Sequence, residues 1–577
     1  MPSNPGGFVT TENASPVRQQ APGRLAKRPL RAALIDVALV FLVCYFILFL
    51  GLSRHPYTYD EGLVLTAAMR VAAGQIPHRD FYANYGPGQF YVLAGLFKLF
   101  GQSLLIERLF DLLIKSLLVT LMYAVAASYC RRWIAACASI LSILWLIGLH
   151  DLVGTPVIPV SLLNLIALAL ILPLFSRNLS AWRMLAAGAV AGLGVLFRYD
   201  TGIALFGIQV CVIAIAIYLR SASHRLSNTV SALWPLLLGF ATVTLPPALY
   251  FLSVAPLGSF IHDLIVYPAK YYRRNRNLPF PGIYFKGLEN LEVYLPIVLA
   301  VLSLYLALGG RSASVGKSAL RSRDVSENLS WRGFLITFGL LTAVMYLKGF
   351  VRVGLSQMYL SIIPSLLLLA VLLQNILGLR VPGRISVICL ASLSVVAGTW
   401  AAVHQTISLY RYQVSVPSSA RLGIPAIQDW CKTKNPLTKG FCFLPDEARI
   451  QTIEFIDSHT RPNQELYVGT TKHDRIFAND NIIYFGAQRL PATHWSHFDP
   501  GLQNSYEIQA QMVDELNSNA PPYIVLDSEF DGIREPNDSS RSTGVTLLDE
   551  YIHDEYQHIG DFGDMAIWQR VVTSPGS

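Results

Sequence analysis

The sequence predicts a polytopic α-helical membrane protein with about eleven transmembrane helices and a soluble C-terminal α/β domain. Three observations predict it. Hydrophobic residues make up 53% of the 577 and charged ones 14%, well below the roughly 25% charge of soluble domains. The apolar residues gather into long runs between Ala32 and about Val403. After that point the composition becomes that of ordinary soluble protein.

Residues 1–31 are polar, with Pro, Gly and Arg, and read as a disordered cytoplasmic tail. No small-residue cleavage site follows the first apolar run, 32–52, so it reads as a retained anchor and not an export signal. At about 1.5 Å per residue a run of this length crosses a bilayer. Ten more spans follow near 104–128, 133–149, 156–176, 184–198, 201–219, 231–253, 291–309, 333–348, 355–378 and 385–403. Together they make a membrane module over 32–405, with the soluble domain over 406–577.

Lys and Arg bias sets the orientation. Arg18, Arg24, Lys27, Arg28 and Arg31 precede the first span and place the N-terminus inside. The inner loops then carry Arg131/Arg132, Arg177/Arg183, Arg220/Arg225, Arg311/Lys317/Arg321/Arg323 and Arg380/Arg384. An odd number of spans puts the C-terminal domain outside. Two outer loops break the rule. The first, 53–103, holds Arg54, Arg70, Arg79 and Lys98, and the fourth, about 254–290, holds Lys270, Arg273, Arg274 and Arg276. Cations kept outside against the topological preference suit an anionic ligand at that face, although arginines meeting lipid headgroups give the same pattern.

The net charge of +8 is spread over short loops and is no nucleic-acid signal. Five of the seven cysteines lie in or beside apolar spans, as small buried hydrophobes; Cys431 and Cys442 are able to pair in an oxidising compartment. In the tail, helix signals at 446–459 and 506–516 are each followed by a strand signal, at 465–469 and 523–526, and 565–572 reads as a final strand. Helix-then-strand alternation argues for a small α/β domain. Histidines His473, His494 and His497 lack ligand spacing and read as solvated loop residues.

The first outer loop holds the densest chemistry. It runs Asp60-Glu61-Gly62, an amphipathic stretch 63–73, Gly74-Gln75-Ile76-Pro77-His78-Arg79-Asp80-Phe81, then Asn84-Tyr85-Gly86-Pro87-Gly88. Paired acids directly after a membrane span are costly unless they serve or pair with something. A solvated loop-start acid is the plain alternative.

This arrangement resembles the first luminal loop of the C-type (GT-C) membrane glycosyltransferase superfamily, in the branch of protein O-mannosyltransferases and lipid A aminoarabinose transferases. Two further stretches are similar to that family's: Gly188–Arg198, a small-residue helix ending in a basic residue, and Arg352 to Pro364, where Gln357 stands in place of a frequent histidine. The resemblance implies sugar transfer from a polyprenyl-phosphate-linked donor to a glycan, lipid or protein acceptor at the extracytoplasmic face. It implies Asp60 as general base with Glu61 beside it, and Asp151 as an acceptor or metal residue. Arg198, Arg352, Lys270, Arg273 and Arg79 then meet the donor phosphate. Arg198 is equally placed to anchor a helix end by snorkelling, and Arg79 to form a structural pair with Asp80.

A divalent metal at Asp60, Glu61 or Asp151 is permitted by these residues, though their spacing does not demand one. The expected home is the plasma membrane of a bacterium. Two rivals remain at this level. A transporter of lipid-linked saccharides would show charges inside its spans or broken helices from an internal duplication, and neither stands out. A non-catalytic membrane scaffold would have a closed outer groove.

Overall fold

The computed structural model describes residues 30–50, 56–148, 152–220, 225–280, 289–308, 325–377, 446–571 and a few positions between 385 and 403. The N-terminal tail, Asp151 and the Cys431/Cys442 pair fall wholly or mostly outside these residues, while the described positions of the expected eleventh span, 385–403, are helical.

Twelve helices build the membrane module: α1 (Leu30–Leu50), α2 (Asp60–Ala72), α3 (Gly88–Phe100), α4 (Leu104–Ala127), α5 (Arg132–Gly148), α6 (Val157–Ile171), α7 (Ala181–Phe197), α8 (Tyr199–Arg220), α9 (Arg225–Val254), α10 (Glu289–Leu308), α11 (Val325–Gly349) and α12 (Leu355–Leu377). Ten of the eleven expected spans thus correspond to helices. Seven helices among the described residues are long and apolar enough to cross a membrane. The helices at 132–147, 181–197 and 293–308 are apolar but shorter. Large apolar side chains of α1 and α9, such as Leu34, Phe46 and Leu249, are exposed, as lipid-facing surfaces require. By contrast α12 is nearly all buried and lies inside the bundle.

Small residues let the helices approach. A β-carbon at Gly188 would stand 1.9 Å from the Leu236 carbonyl oxygen, and one at Gly239 1.9 Å from that of Leu185. So α7 and α9 cross backbone against backbone, in the manner of small-residue contacts in membranes. The glycines at 188 and 192 are therefore packing devices against α9.

The span α4 corrects one expectation. Its first half buries Glu107, Arg108, Asp111 and Lys115, so charges do lie inside a span. They close on one another and on the outer loop. Lys115 pairs with Asp111 at 2.6 Å, and Arg108 with Glu61 at 2.8 Å.

Among the described residues the C-terminal region contains α13 (Glu447–His459), α14 (Ile482–Ala487), α15 (Tyr506–Asn519) and α16 (Leu547–Glu555). Its four strands are β1 (Tyr467–Thr470), β2 (Tyr523–Asp527), β3 (Tyr556–Phe562) and β4 (Met565–Arg570), in sheet order β1-β2-β4-β3. The β1–β2 pair is parallel, as a helical crossover demands, and the other two pairs are antiparallel. Asp446 caps α13 by accepting from the Arg449 amide at 3.0 Å.

This domain rests on the first outer loop. Thr66 donates to the Asn481 carbonyl at 2.9 Å, the Asn481 amide to that of Thr58 at 3.2 Å, and buried Arg70 to that of Thr493 at 3.0 Å. The helix that opens with Asp60 is thereby clamped from above.

Candidate active site

Between the helix ends next to the C-terminal region and that region lies a cavity of about 400 Å³. Five segments of the helical module and the C-terminal region line it: the loop before and after α2 with Tyr59, Asp60, Asn84 and Tyr85; the start of α6 with Leu152, Thr155 and Val157; the α7–α8 junction with Arg198 and Asp200; the 267–276 segment with Tyr267, Tyr272 and Arg276; the α11–α12 junction with Lys348 and Arg352; and the C-terminal region with Phe477, His497 and Asp499.

Asp60 is the first residue of α2, where the unpaired amides of a helix start favour a carboxylate. Its neighbour Glu61 turns away, because successive residues on a helix diverge in direction. Glu61 is fully buried, accepts from the Tyr57 amide at 2.7 Å and pairs with Arg108. Burial pushes its carboxyl pKa up against the pull of Arg108. The two adjacent acids thus have separate settings: Asp60 faces the cavity, and Glu61 ties the loop to α4.

The Asn84–Gly88 turn sits on the end of α7. A β-carbon at Gly86 would lie 2.3 Å from the Leu196 carbonyl oxygen, so glycine permits this approach. The turn brings the Tyr85 ring within 6.0 Å of the Arg198 guanidinium. Arg198 in turn meets Asp200 at 3.3 Å, and Lys348 meets the other oxygen of Asp200 at 2.6 Å. One carboxylate serves two cations.

Arg276 was not singled out by sequence. Its backbone follows short α- and π-helical turns between Leu257 and Arg276, and π-type turns recur at functional sites. Nη2 donates to the Tyr59 hydroxyl at 3.1 Å and stands 3.4 Å from Asp499 Oδ1. Burial opposes its charge, but Tyr59 and Asp499 more than offset this and keep its pKa above the usual arginine value. Asp499 Oδ2 accepts from Tyr82 at 3.1 Å and Asn84 at 2.9 Å, with His497 Nε2 at 3.2 Å. Burial lowers the His497 pKa against the pull of Asp499, favouring the neutral ring. So His497, read from sequence as a solvated loop residue, is buried in the cavity wall.

The remaining sequence candidates divide. Arg352 lines the cavity and forks onto Glu535 of the soluble domain at 2.8 and 2.6 Å. Lys270 and Arg273 are exposed and do not line the cavity. Arg79 is exposed and pairs with Asp80 at 2.8 Å. Among the described residues no group of three or more His, Cys, Asp or Glu is disposed to hold a metal ion.

The architecture has solved counterparts. ArnT from Cupriavidus metallidurans, in its structure bound to undecaprenyl phosphate, superposes with a TM-score of 0.52 at 16% identity, covering 95% of this chain and 100% of that one. Its apo structure gives 0.53 at 15% identity, covering 95% and 99%. The fold is that of the GT-C glycosyltransferases. Residues 84–250 also match the dolichyl-phosphate-mannose-protein mannosyltransferase family. That stretch holds the Asn84–Gly88 turn and the α7–α8 junction, two of the cavity walls. No curated protein matches the chain by sequence.

Proposed function

We propose that the chain is a membrane glycosyltransferase that moves a sugar from a polyprenyl-phosphate-linked donor to an acceptor hydroxyl at the extracytoplasmic face. The observation that carries this is the convergence of Asp60 with Arg198, Arg276, Lys348 and Arg352 around one cavity. A phosphate leaving group needs positive charge where its own charge develops, and an acceptor hydroxyl needs a base. This cavity supplies both.

Asp60 takes the acceptor proton as the acceptor oxygen attacks C1 of the sugar. The bond from C1 to the phosphate oxygen breaks, and polyprenyl phosphate leaves with the electron pair. Attack opposite the leaving group inverts C1. Arg276 and Arg198 meet the phosphate, with Arg352 and Lys348 at the same wall. The cavity sits at the outer ends of the helices, where a lipid-borne phosphate lies at headgroup level. In this reading the membrane module has about eleven spans with the N-terminus cytoplasmic, and Asp151, if it faces the cavity, serves the acceptor.

The buried charges of α4 are what a transporter of lipid-linked sugars would also show. These charges pair with Glu61 and with each other, as charges that hold a loop to a helix do, which favours the transferase. The test is transfer by purified protein in lipid from a panel of radiolabelled polyprenyl-phosphate sugars into membrane extract. Label appearing in a glycan, lipid or protein supports the reading. Label that crosses a sealed vesicle without being transferred supports the transporter instead.

A further inference from the structure

Each of four cations in the cavity wall meets a carboxylate, but the carboxylates are not equally committed. Asp200 serves both Arg198 and Lys348. Asp499 collects Arg276, Tyr82, Asn84 and His497, and its withdrawal would leave three buried partners and half-buried Asn84 short. Glu535 meets Arg352 and, besides it, one Asn537 amide at 2.9 Å. The Arg352 and Glu535 side chains keep 19% and 11% of their exposure, more than the 8% and 3% of Arg276 and Asp499. The Asp200 pairs are more exposed still, but they share one carboxylate between two cations, so the Arg352–Glu535 pair is the one whose opening strands the fewest partners.

Its geometry matters as much as its cost. Both terminal nitrogens of Arg352 are engaged by the two oxygens of Glu535, the parallel fork that an arginine also offers to phosphate. Building on the transferase reading above, we propose that Glu535 is an internal stand-in for the donor phosphate. It holds Arg352 in a phosphate-ready fork while the cavity is empty, and the incoming phosphate displaces it.

The surrounding contacts allow the exchange without undocking the domain. Asn537 also donates to the Asn277 carbonyl at 2.9 Å, and Arg274 meets Asp538 at 3.1 Å. These clip the 535–541 segment to the 274–277 segment independently of Arg352. The Glu535 amide donates to Ser540 at 2.6 Å, which keeps the turn in shape when its side chain lets go. The soluble domain thus contributes a carboxylate that sets the affinity of the membrane site for its lipid phosphate.

This makes an unusual sign prediction: removing a contact tightens binding. Binding of undecaprenyl phosphate to the full chain in nanodiscs is measured for wild type, Glu535→Gln, Arg352→Gln and the double variant, with thermal unfolding of each as a check on folding. Glu535→Gln is expected to bind about tenfold tighter, the scale of one charge-assisted hydrogen bond exchanged. In the Arg352→Gln background the same change should have no effect. If wild type binds and Glu535→Gln binds equally or more weakly, the stand-in role is overturned and the transferase reading stands. If neither wild type nor Glu535→Gln binds undecaprenyl phosphate, the transferase reading fails and takes this inference with it.

Discussion

Gly62 lies so close to Ile482 that a β-carbon on it would stand 2.8 Å from the Ile482 amide nitrogen. This is where the soluble domain touches the helix that opens with Asp60. Backbone meets backbone there, and no flexible side chain is available to yield. Replacing Gly62 with Ala is expected to cost about 1–3 kcal/mol as overpacking. It should also lower sugar transfer by shifting the start of α2. Thermal unfolding and transfer rate measured together check this; an unchanged melting temperature with full activity would mean the contact is loose.

Arg276 is expected to be worth more than its charge. Its planar guanidinium spans Tyr59 and Asp499 at once, which a lysine ammonium cannot reproduce. Arg276→Lys should fold and should raise the donor KM about tenfold, the value of roughly one lost charge-assisted bond. A KM equal to that of wild type would show that Arg276 is a structural tie and no part of the phosphate wall.

The soluble domain should carry a pH signature of its own. Asp446, Asp480, Asp527 and Glu529 crowd Arg449. Burial pushes the Asp527 pKa up to about 8, with Asp480 adding to it, and burial pushes Asp480 to about 6. Between about pH 4 and 8 the folded state then holds protons on Asp527 that the unfolded state has released, so this residue's contribution to stability falls as pH rises through that window. His494, lowered to about 4 by burial, acts oppositely between about pH 4 and 6.5, where the unfolded state binds the extra proton and stability rises with pH. Asp527→Asn should therefore raise the melting temperature, and by more at pH 8 than at pH 5. A gain that is flat or shrinks with pH would show that Asp527 is ionised throughout.

Local pattern made much of this legible. The span order, the amphipathic start of α2 and the Asp60-Glu61-Gly62 acid pair are all short-range signals, and the cavity does contain Asp60, Arg198 and Arg352. What stayed hidden is non-local. His497 and Asp499 lie in the irregular stretch between α14 and α15, and nothing in their spacing says that this stretch folds down onto the loop between α2 and α3, more than 400 residues earlier in the chain. Arg276 was one of several arginines in a basic run, and only the turns of the 257–276 segment decide that it points inward while Arg273 points out. The split between Asp60 and Glu61 likewise needs Arg108, supplied from another helix. The strand β3 escaped notice because it is largely exposed and lacks a buried apolar alternation.

The central claim is that Asp60 is the base of a sugar transfer in this cavity. The most direct measurement compares wild type with Asp60→Asn, folded and in lipid, for radiolabelled sugar transfer from a polyprenyl-phosphate donor and for binding of undecaprenyl phosphate. Asp60→Asn is expected to reduce transfer by about 10²–10⁴, the usual contribution of a general base, with lipid phosphate binding retained. Transfer within a few-fold of wild type by the Asp60→Asn protein would contradict it.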